Sequence, residues 1–261
     1  MSAAHRLTIP DLDGKRVLIT GSSTGIGAAL ARGFAAQGAK VAIHYNSSRS
    51  PAEALAREIG EAGGTAVLTS GDVTDPATTR RIVDDAAAAL GGLDGLVNNA
   101  GLMLGRMPIA DMSDAHFDAV VRLNSHSVLA ATQAATPHLE KAGGGFIINT
   151  TSVAARNGGG GGAILYAAAK GFVSTFTRGS AKELIGKNIR VNGVAPGLIQ
   201  TPFHDRYTNA EQMKAQLATI PQGRVGTPED CVGAYLFLAS AMLSGYIIGQ
   251  IIEVNGGQLM P

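Results

Sequence analysis

One cysteine, Cys231, stands among 261 residues, so no internal disulfide can form and nothing points to an oxidising compartment. Tryptophan is absent, and charged residues are few, 16%, with 21 basic side chains against 20 acidic ones. That balance, +1 in all, and the lack of any long basic run argue against nucleic acid or an anionic membrane as the main partner. No apolar segment follows Met1 in the manner of a secretion signal. The longest uncharged apolar run near the end, Ala234 to Leu243, is far short of the ~20 residues of a membrane span. A soluble, cytoplasmic protein is expected. The histidines, His5, His44, His116, His126, His138 and His204, show none of the paired spacings used by metal sites, so no metal is expected either.

What the chain does have is apolar bulk: 45% of it is hydrophobic, enough to fill one large core and compatible with a single α/β domain over residues 1–261. Short β-branched runs alternate with longer Ala-rich stretches, the pattern of repeated strand–helix units feeding a parallel sheet. Strands are expected at Arg16–Thr20, Lys40–Tyr45, Thr65–Ser70, Leu93–Asn98, Gly145–Thr150, Ile189–Val194 and Gln250–Val254. Several are continuous apolar runs, as suits strands covered on both faces. Helix starts are signed by Ser50-Pro51 with Glu53, by Asp75-Pro76 and by Thr227-Pro228. Long helices are expected from about Ser113 to Glu140 and from about Ile164 to Ile185. Between them Asn157 precedes five consecutive glycines, which can only be loop. The expected fold is a single-domain, Rossmann-like, doubly wound parallel sheet of about seven strands.

The stretch Thr20-Gly21-Ser22-Ser23-Thr24-Gly25-Ile26-Gly27 joins the first strand to a helix, the order needed for a phosphate cradle. Gly21 permits the tight turn, Gly25 lets a diphosphate approach the main chain, and Gly27 lets helix and strand pack closely. The helix N-terminus offers unpaired N–H groups to an anion. Tyr166 and Lys170 lie four residues apart on a predicted helix, so both project from one face. A phenol titrates near ~10, and a neighbouring ammonium together with an oxidised nicotinamide would favour its phenolate. Ser152 follows the fifth strand, at the carboxyl edge where ligands of open α/β sheets collect.

Taken in order, Thr20-Gly21-x-x-x-Gly25-Ile26-Gly27, Asn98-Asn99-Ala100-Gly101, Ser152, Tyr166-x-x-x-Lys170 and Pro196-Gly197 make the chain resemble the short-chain dehydrogenase/reductase family, from about Leu12 to Gly257. The resemblance implies that Ser152 holds the substrate oxygen and Tyr166 exchanges its proton. It also implies that Lys170 binds the nicotinamide ribose while lowering the tyrosine pKa, and that Asn124 orders a water behind the lysine. For the cofactor it implies contacts from Gly21, Ser23, Thr24, Gly25, Ile26 and Gly27, from Asp72 and Val73 at the adenine, and from Asn98, Ala100 and Gly101 along the adenosine ribose. Pro196, Gly197, Ile199 and Thr201 fall at the nicotinamide end. The step from Ser152 to Tyr166 is one residue longer than usual in the family, and Thr150 and Thr151 compete for the serine's role; Ser152 is preferred for the Ser-Val-Ala that begins there. The family also implies a homotetramer, in which the catalytic helix and the long helix before it pair with their copies. Ala167, Ala168, Ala169, Gly171, Phe172, Val173 and Phe176 carry that reading.

Cofactor choice turns on another absence: no Asp or Glu lies between Lys40 and Glu53. Where an NAD-specific fold places an acid on the ribose 2′-hydroxyl stands Tyr45, followed by Asn46, Ser47, Ser48 and Arg49, which can donate to a 2′-phosphate. Thr24 stands where the family often has a basic residue. NADP is therefore expected, with NAD possible. The expected reaction moves hydride between the nicotinamide and a carbonyl or secondary alcohol, as in 3-oxoacyl-carrier-protein reductases. A sugar or polyol dehydrogenase, or a nucleotide-binding sensor without turnover, is the alternative. Substrate identity rests with the segments Met103–Met107, Arg156–Leu165 and His204–Leu217, where Arg156, Arg206 or His204 could meet the substrate.

Overall fold

The computed structural model describes residues 8–261 apart from the side chains of residues 204–206. His5 and the side chains of His204 and Arg206 thus lie outside the described residues. The middle layer is a sheet of seven strands, all parallel: β1 (Arg16–Ile19), β2 (Lys40–Tyr45), β3 (Thr65–Ser70), β4 (Gly95–Asn98), β5 (Gly145–Thr150), β6 (Ile189–Pro196) and β7 (Ile251–Val254). They stand in the order β3-β2-β1-β4-β5-β6-β7. Every expected strand is present, with β4 two residues shorter at its start and β6 two residues longer at its end. Each residue of β4 and β6 is buried, because a parallel sheet needs crossover helices and these cover both faces.

The helices are α1 (Gly25–Ala36), α2 (Arg49–Glu61), α3 (Pro76–Leu90), α4 (Asp114–Val121), α5 (Ser127–Lys141), the short α6 (Ala154–Asn157), α7 (Ile164–Leu184), α8 (Pro202–Tyr207), α9 (Ala210–Leu217), α10 (Pro228–Ala239) and α11 (Ala241–Ser244). Two hydrophobic clusters lie against the sheet. One gathers Phe34 of α1 and Tyr235 of α10 with Phe146, the two phenyl rings stacked at 6.1 Å. The other gathers Ile82, Leu139, Leu184 and Val191 with α3, α5 and α7. None of the helices among the described residues is long and apolar enough to cross a membrane.

Two local expectations need correction. Helix α2 is capped at Ser48 and begins with Arg49, so Pro51 is its third residue and Ser50 is no cap. The first N–H groups of a helix have no intrahelical acceptor, so a proline there forfeits nothing. The helix expected unbroken over 113–140 is instead α4 and α5 joined by a π-helical turn, Arg122–His126. Asn124 sits in that turn, its amide donating to the Val120 carbonyl at 3.0 Å; a side chain that bonds one turn back competes with the backbone ladder and widens it. By contrast Asp75 caps α3 as expected, accepting from the Thr78 N–H at 2.8 Å.

The strand order sets the site. From β1 the chain winds outward through β2 and β3, then returns to place β4 on the other flank of β1. Connections leaving β1 and β4 diverge, which opens a crevice at their carboxyl ends.

Candidate active site

The glycine loop forms the floor of that crevice, and polar side chains pin it. The Ser22 hydroxyl donates to the Ile19 carbonyl at 2.7 Å and its N–H donates to the His44 carbonyl at 2.9 Å. Asn99 donates its amide to the carbonyls of Thr20 and Gly21, at 2.9 and 3.1 Å. His44 accepts the Gly21 N–H on Nδ1 at 2.9 Å, which places the ring proton on Nε2, facing the Gly71 carbonyl at 3.0 Å. This histidine is 2% exposed, and burial pushes its pKa below the ordinary imidazole range, so it is a neutral strut between the loop and the end of β3. Sequence reading passed over all three residues. For His44 the available signal was its place one residue before the end of β2, beside the loop, rather than any metal spacing.

The loop leaves room for a ligand and nothing else. Gly21 has φ of 63°, and a Cβ there would lie 3.0 Å from Ala100 Cα; a Cβ on Gly27 would strike the Gly21 carbonyl. Gly25 faces the Thr201 methyl, 3.3 Å from where a Cβ would be, so Thr201 closes the crevice from the β6 side. Ala28 is the first residue to close the α1 ladder, onto Thr24, which leaves the N–H groups of Gly25, Ile26 and Gly27 without intrahelical acceptors. Ser23 and Thr24 flank them, half-buried and exposed respectively.

Above β5 the three candidate hydroxyls differ in their partners. Thr150 bonds the Tyr235 hydroxyl at 2.8 Å, and Thr151 donates to the Lys170 carbonyl at 2.9 Å beside Ser174 at 2.7 Å. Both are committed. The Ser152 Oγ accepts the Ala154 N–H at 3.1 Å and lies near enough to Tyr166 to oppose the burial that drives the phenol upward to about 12. Lys170, 3% exposed, donates to the Thr150 carbonyl at 2.8 Å and lies 5.8 Å from the Tyr166 ring centre. Its desolvation pulls it down to about 8. The expectation that lysine lowers the tyrosine pKa therefore needs correction for the protein alone: burial outweighs it. Asn124 is fully buried, donates to the Leu102 carbonyl at 2.8 Å, and has an Oδ1 with no protein partner. A Cβ on Gly101 would meet that oxygen at 2.7 Å and Lys170 Nζ at 3.1 Å, so a polar space next to Gly101 is bounded by both groups. An orphaned buried acceptor, a buried ammonium and a glycine cradle fit a dinucleotide with polar ribose hydroxyls.

Not every expected contact faces the crevice. The Asn98 amide is tied to Asn149 at 2.9 Å and Asn149 in turn to Thr177, a buried chain that staples β4, β5 and α7, so the Asn98 side chain is not available to a ribose. Val73 is buried in the core, whereas Asp72 is exposed at the end of β3 with one oxygen held by the Thr74 N–H at 2.9 Å. Tyr45 is half-buried at the end of β2, with Asn46 and Ser47 exposed beyond it. Arg49 is exposed but not free: it pairs with Glu53 at 2.7 Å, a partner the sequence reading had not assigned. Pro196 pairs with β7 and Gly197 packs against Asn255; Ile199 is buried behind Thr201.

The family model described as Enoyl-(Acyl carrier protein) reductase matches residues 21–258. The chain belongs to the short-chain dehydrogenase/reductase family. It is 38% identical over 250 residues to the L-rhamnose 1-dehydrogenase (NAD(P)(+)) of Sphingomonas sp. (strain SKA58), covering 94% of this chain and 96% of that one. Among solved structures, the NADH-dependent reductase A1-R′ responsible for alginate metabolism, complexed with NAD, superposes with a TM-score of 0.87 at 39% identity over 97% of this chain and 100% of that one. A short-chain dehydrogenase from Burkholderia cenocepacia J2315 in complex with NADP gives 0.88 at 36% identity over 95% and 98%. This member of the family is thus a nicotinamide-dependent oxidoreductase with a Rossmann-like fold.

Proposed function

We propose that the chain reduces a ketone, or oxidises the matching secondary alcohol, with Ser152, Tyr166 and Lys170 as the groups that act at the reacting oxygen. The placing of the buried Lys170 ammonium 5.8 Å from the Tyr166 ring centre at the switch point, with Ser152 acting on the phenol, carries this reading. A nicotinamide dinucleotide bound over the glycine loop supplies or accepts the hydride. Ser152 donates a hydrogen bond to the substrate oxygen and fixes its position. Tyr166, held protonated by burial, gives its proton to that oxygen in reduction and takes it back in oxidation. Lys170 holds the ribose, and Asn124 Oδ1 faces the same space from the far side. Absorbance at the reduced-nicotinamide band, read against a panel of ketones, sugars and 3-oxoacyl thioesters, tests the reading; no turnover with any member overturns it. A sugar substrate has the L-rhamnose dehydrogenase likeness in its favour.

NADP(H) is the proposed preferred cofactor. Tyr45, not an acid, ends β2, so nothing there repels a 2′-phosphate, and Arg49 has only an exposed i,i+4 partner to release. Such pairs are weak and screened. The Arg49→Ala variant is expected to raise the NADP(H) Michaelis constant several-fold to about tenfold and to leave NAD(H) almost unchanged, since only the former bears the phosphate. Equal or better efficiency with NAD(H) in the natural chain overturns the preference.

A cytoplasmic homotetramer is the proposed assembly. On α7 the small residues Ala167 and Ala169 and the neighbouring Val173 pack inward, but Ile164, Ala168 and Phe172 face out one turn apart, with Phe117 of α4 also exposed. Met242, Leu243 and Tyr246, on and just after α11, form a second exposed apolar stretch. Two unpartnered apolar surfaces suit a closed assembly with two kinds of twofold interface. A monomer by light scattering at micromolar concentration overturns it.

A further inference from the structure

Three segments meet at the mouth of the site: the turn after β4, the glycine run between β5 and α7, and helix α8. Arg106, from the first of them, touches both of the others. Its Nε donates to the Tyr207 carbonyl at 2.8 Å and its Nη1 to the Gly161 carbonyl at 2.9 Å. The next residue, Met107, donates its N–H to the Gly162 carbonyl at 2.9 Å. Gly162 is required by the arginine, since a Cβ there would come within 2.9 Å of Arg106 Cβ. Helix α8 lays Phe203 on the Tyr166 ring at 5.5 Å, and Tyr207 stands edge-on to Phe203 at 5.3 Å. The guanidinium therefore sits one helical turn beyond the ring that covers Tyr166.

Arg16 is matched by Asp94, and the exposed Arg156 and Arg224 by Glu253 and Asp230, whereas the buried Arg190, like Arg106, donates to main-chain carbonyls. Arg156 is thereby spent. Among the described residues no carboxylate pairs with Arg106, and both of its acceptors are neutral carbonyls. Desolvation pushes its pKa below the ordinary guanidinium value. A guanidinium has five N–H donors, and the two bonds use Nε and one hydrogen of Nη1. Among the described residues Nη2 has no acceptor, and a guanidinium can grip a carboxylate through two parallel bonds.

We propose that Arg106 is the anion receptor of the substrate site, so that the substrate is an oxo or hydroxy acid whose carboxylate lies in the Arg106 fork while its reacting carbon faces Tyr166. The proposal rests on the oxidoreductase reading above and names its substrate class. A single cation matches the single charge of a carboxylate better than the double charge of a phosphate monoester. One helical turn plus a ring contact of 5.5 Å separates the two ends by up to about 11 Å along that path. Such a separation suits sugar acids, whose carbonyl or hydroxyl carbon stands several bonds from the carboxylate.

The test uses the full-length protein with NADP(H) and matched substrates: aldonates and uronates against the parent neutral sugars, and 5-oxo acids against their methyl esters. The acids are expected to have kcat/KM at least about tenfold above their neutral partners. Arg106→Met should bring that ratio close to one, chiefly through KM, and Arg106→Lys should recover part of it. Equal efficiency for acids and neutral partners overturns the proposal. So does an Arg106→Met variant that depresses both alike, which leaves Arg106 as a strap between loop and helix. If no member turns over, the oxidoreductase reading falls instead, and calorimetry of gluconate and glucuronate against glucose on the NADP⁺ complex still decides. Carboxylate binding lost in Arg106→Met supports the receptor; no carboxylate binding, or binding indifferent to the variant, overturns it.

Discussion

Replacing Tyr166 with phenylalanine is expected to lower turnover by about 10²–10⁴ in both directions while leaving the cofactor dissociation constant within about threefold. The ring stays, and with it the contact to Phe203 that seats α8, so only the proton carrier is lost. Direction and pH then separate. Burial holds the phenol near 12, so at neutral pH it is protonated and ready to serve as the acid in ketone reduction. Oxidation needs the phenolate, so the rate of alcohol oxidation should climb as pH rises from 7 while reduction stays level or falls. Stopped-flow and steady-state rates on the natural chain and the Phe variant check both statements. Near-normal turnover in the variant removes Tyr166 from the chemistry, and a pH-independent oxidation rate removes it as the titrating group.

The sheet was legible because parallel strands buried on both faces must be apolar along their whole length. Val17-Leu18-Ile19 and the run through β6 can hardly be anything else. The glycine spacing was legible for a related reason, since each glycine answers a steric need within the same short loop, and the Cβ positions at Gly21 and Gly27 bear that need out. What escaped depends on groups far apart in sequence. Arg49 looked free until Glu53 turned out to share its helix face, a consequence of α2 starting one residue before the expected cap. Asn98 carries the same letters as a ligand contact, yet its amide is consumed by Asn149, 51 positions away. The π turn at Asn124 leaves the apolar period nearly intact and so gives no sign in the pattern. His44 and Arg106 are single polar residues in apolar surroundings. Their meaning comes from Gly21 and Gly71 in one case and from Gly161 and Tyr207 in the other.

Lys170→Met is expected to produce a more stable and nearly inactive protein. At 3% exposure the ammonium has one hydrogen bond, to the Thr150 carbonyl, and no carboxylate nearby to offset its desolvation, which is why its pKa falls to about 8. In the unfolded chain the same lysine titrates near ~10.4. Between those two values the unfolded state binds more protons, so stability rises with pH across that window and the burial penalty is fully present below about 8. A methionine of similar shape removes the penalty, of the order of 1–3 kcal/mol, less what is lost with the Thr150 hydrogen bond. Thermal melts at pH 7 should therefore shift upward by about 2–6 °C, and the gap between variant and natural chain should narrow as pH approaches 10. Turnover should fall by about 10²-fold or more, with a higher Michaelis constant for the cofactor, as the ribose loses its cation and Tyr166 the buried positive charge beside it. A variant that is both less stable at pH 7 and still active would show that Lys170 is an ordinary core-filling residue. The expected split, with stability gained and catalysis lost, marks a charge kept in the core at a cost to the fold because the chemistry at Tyr166 needs it there.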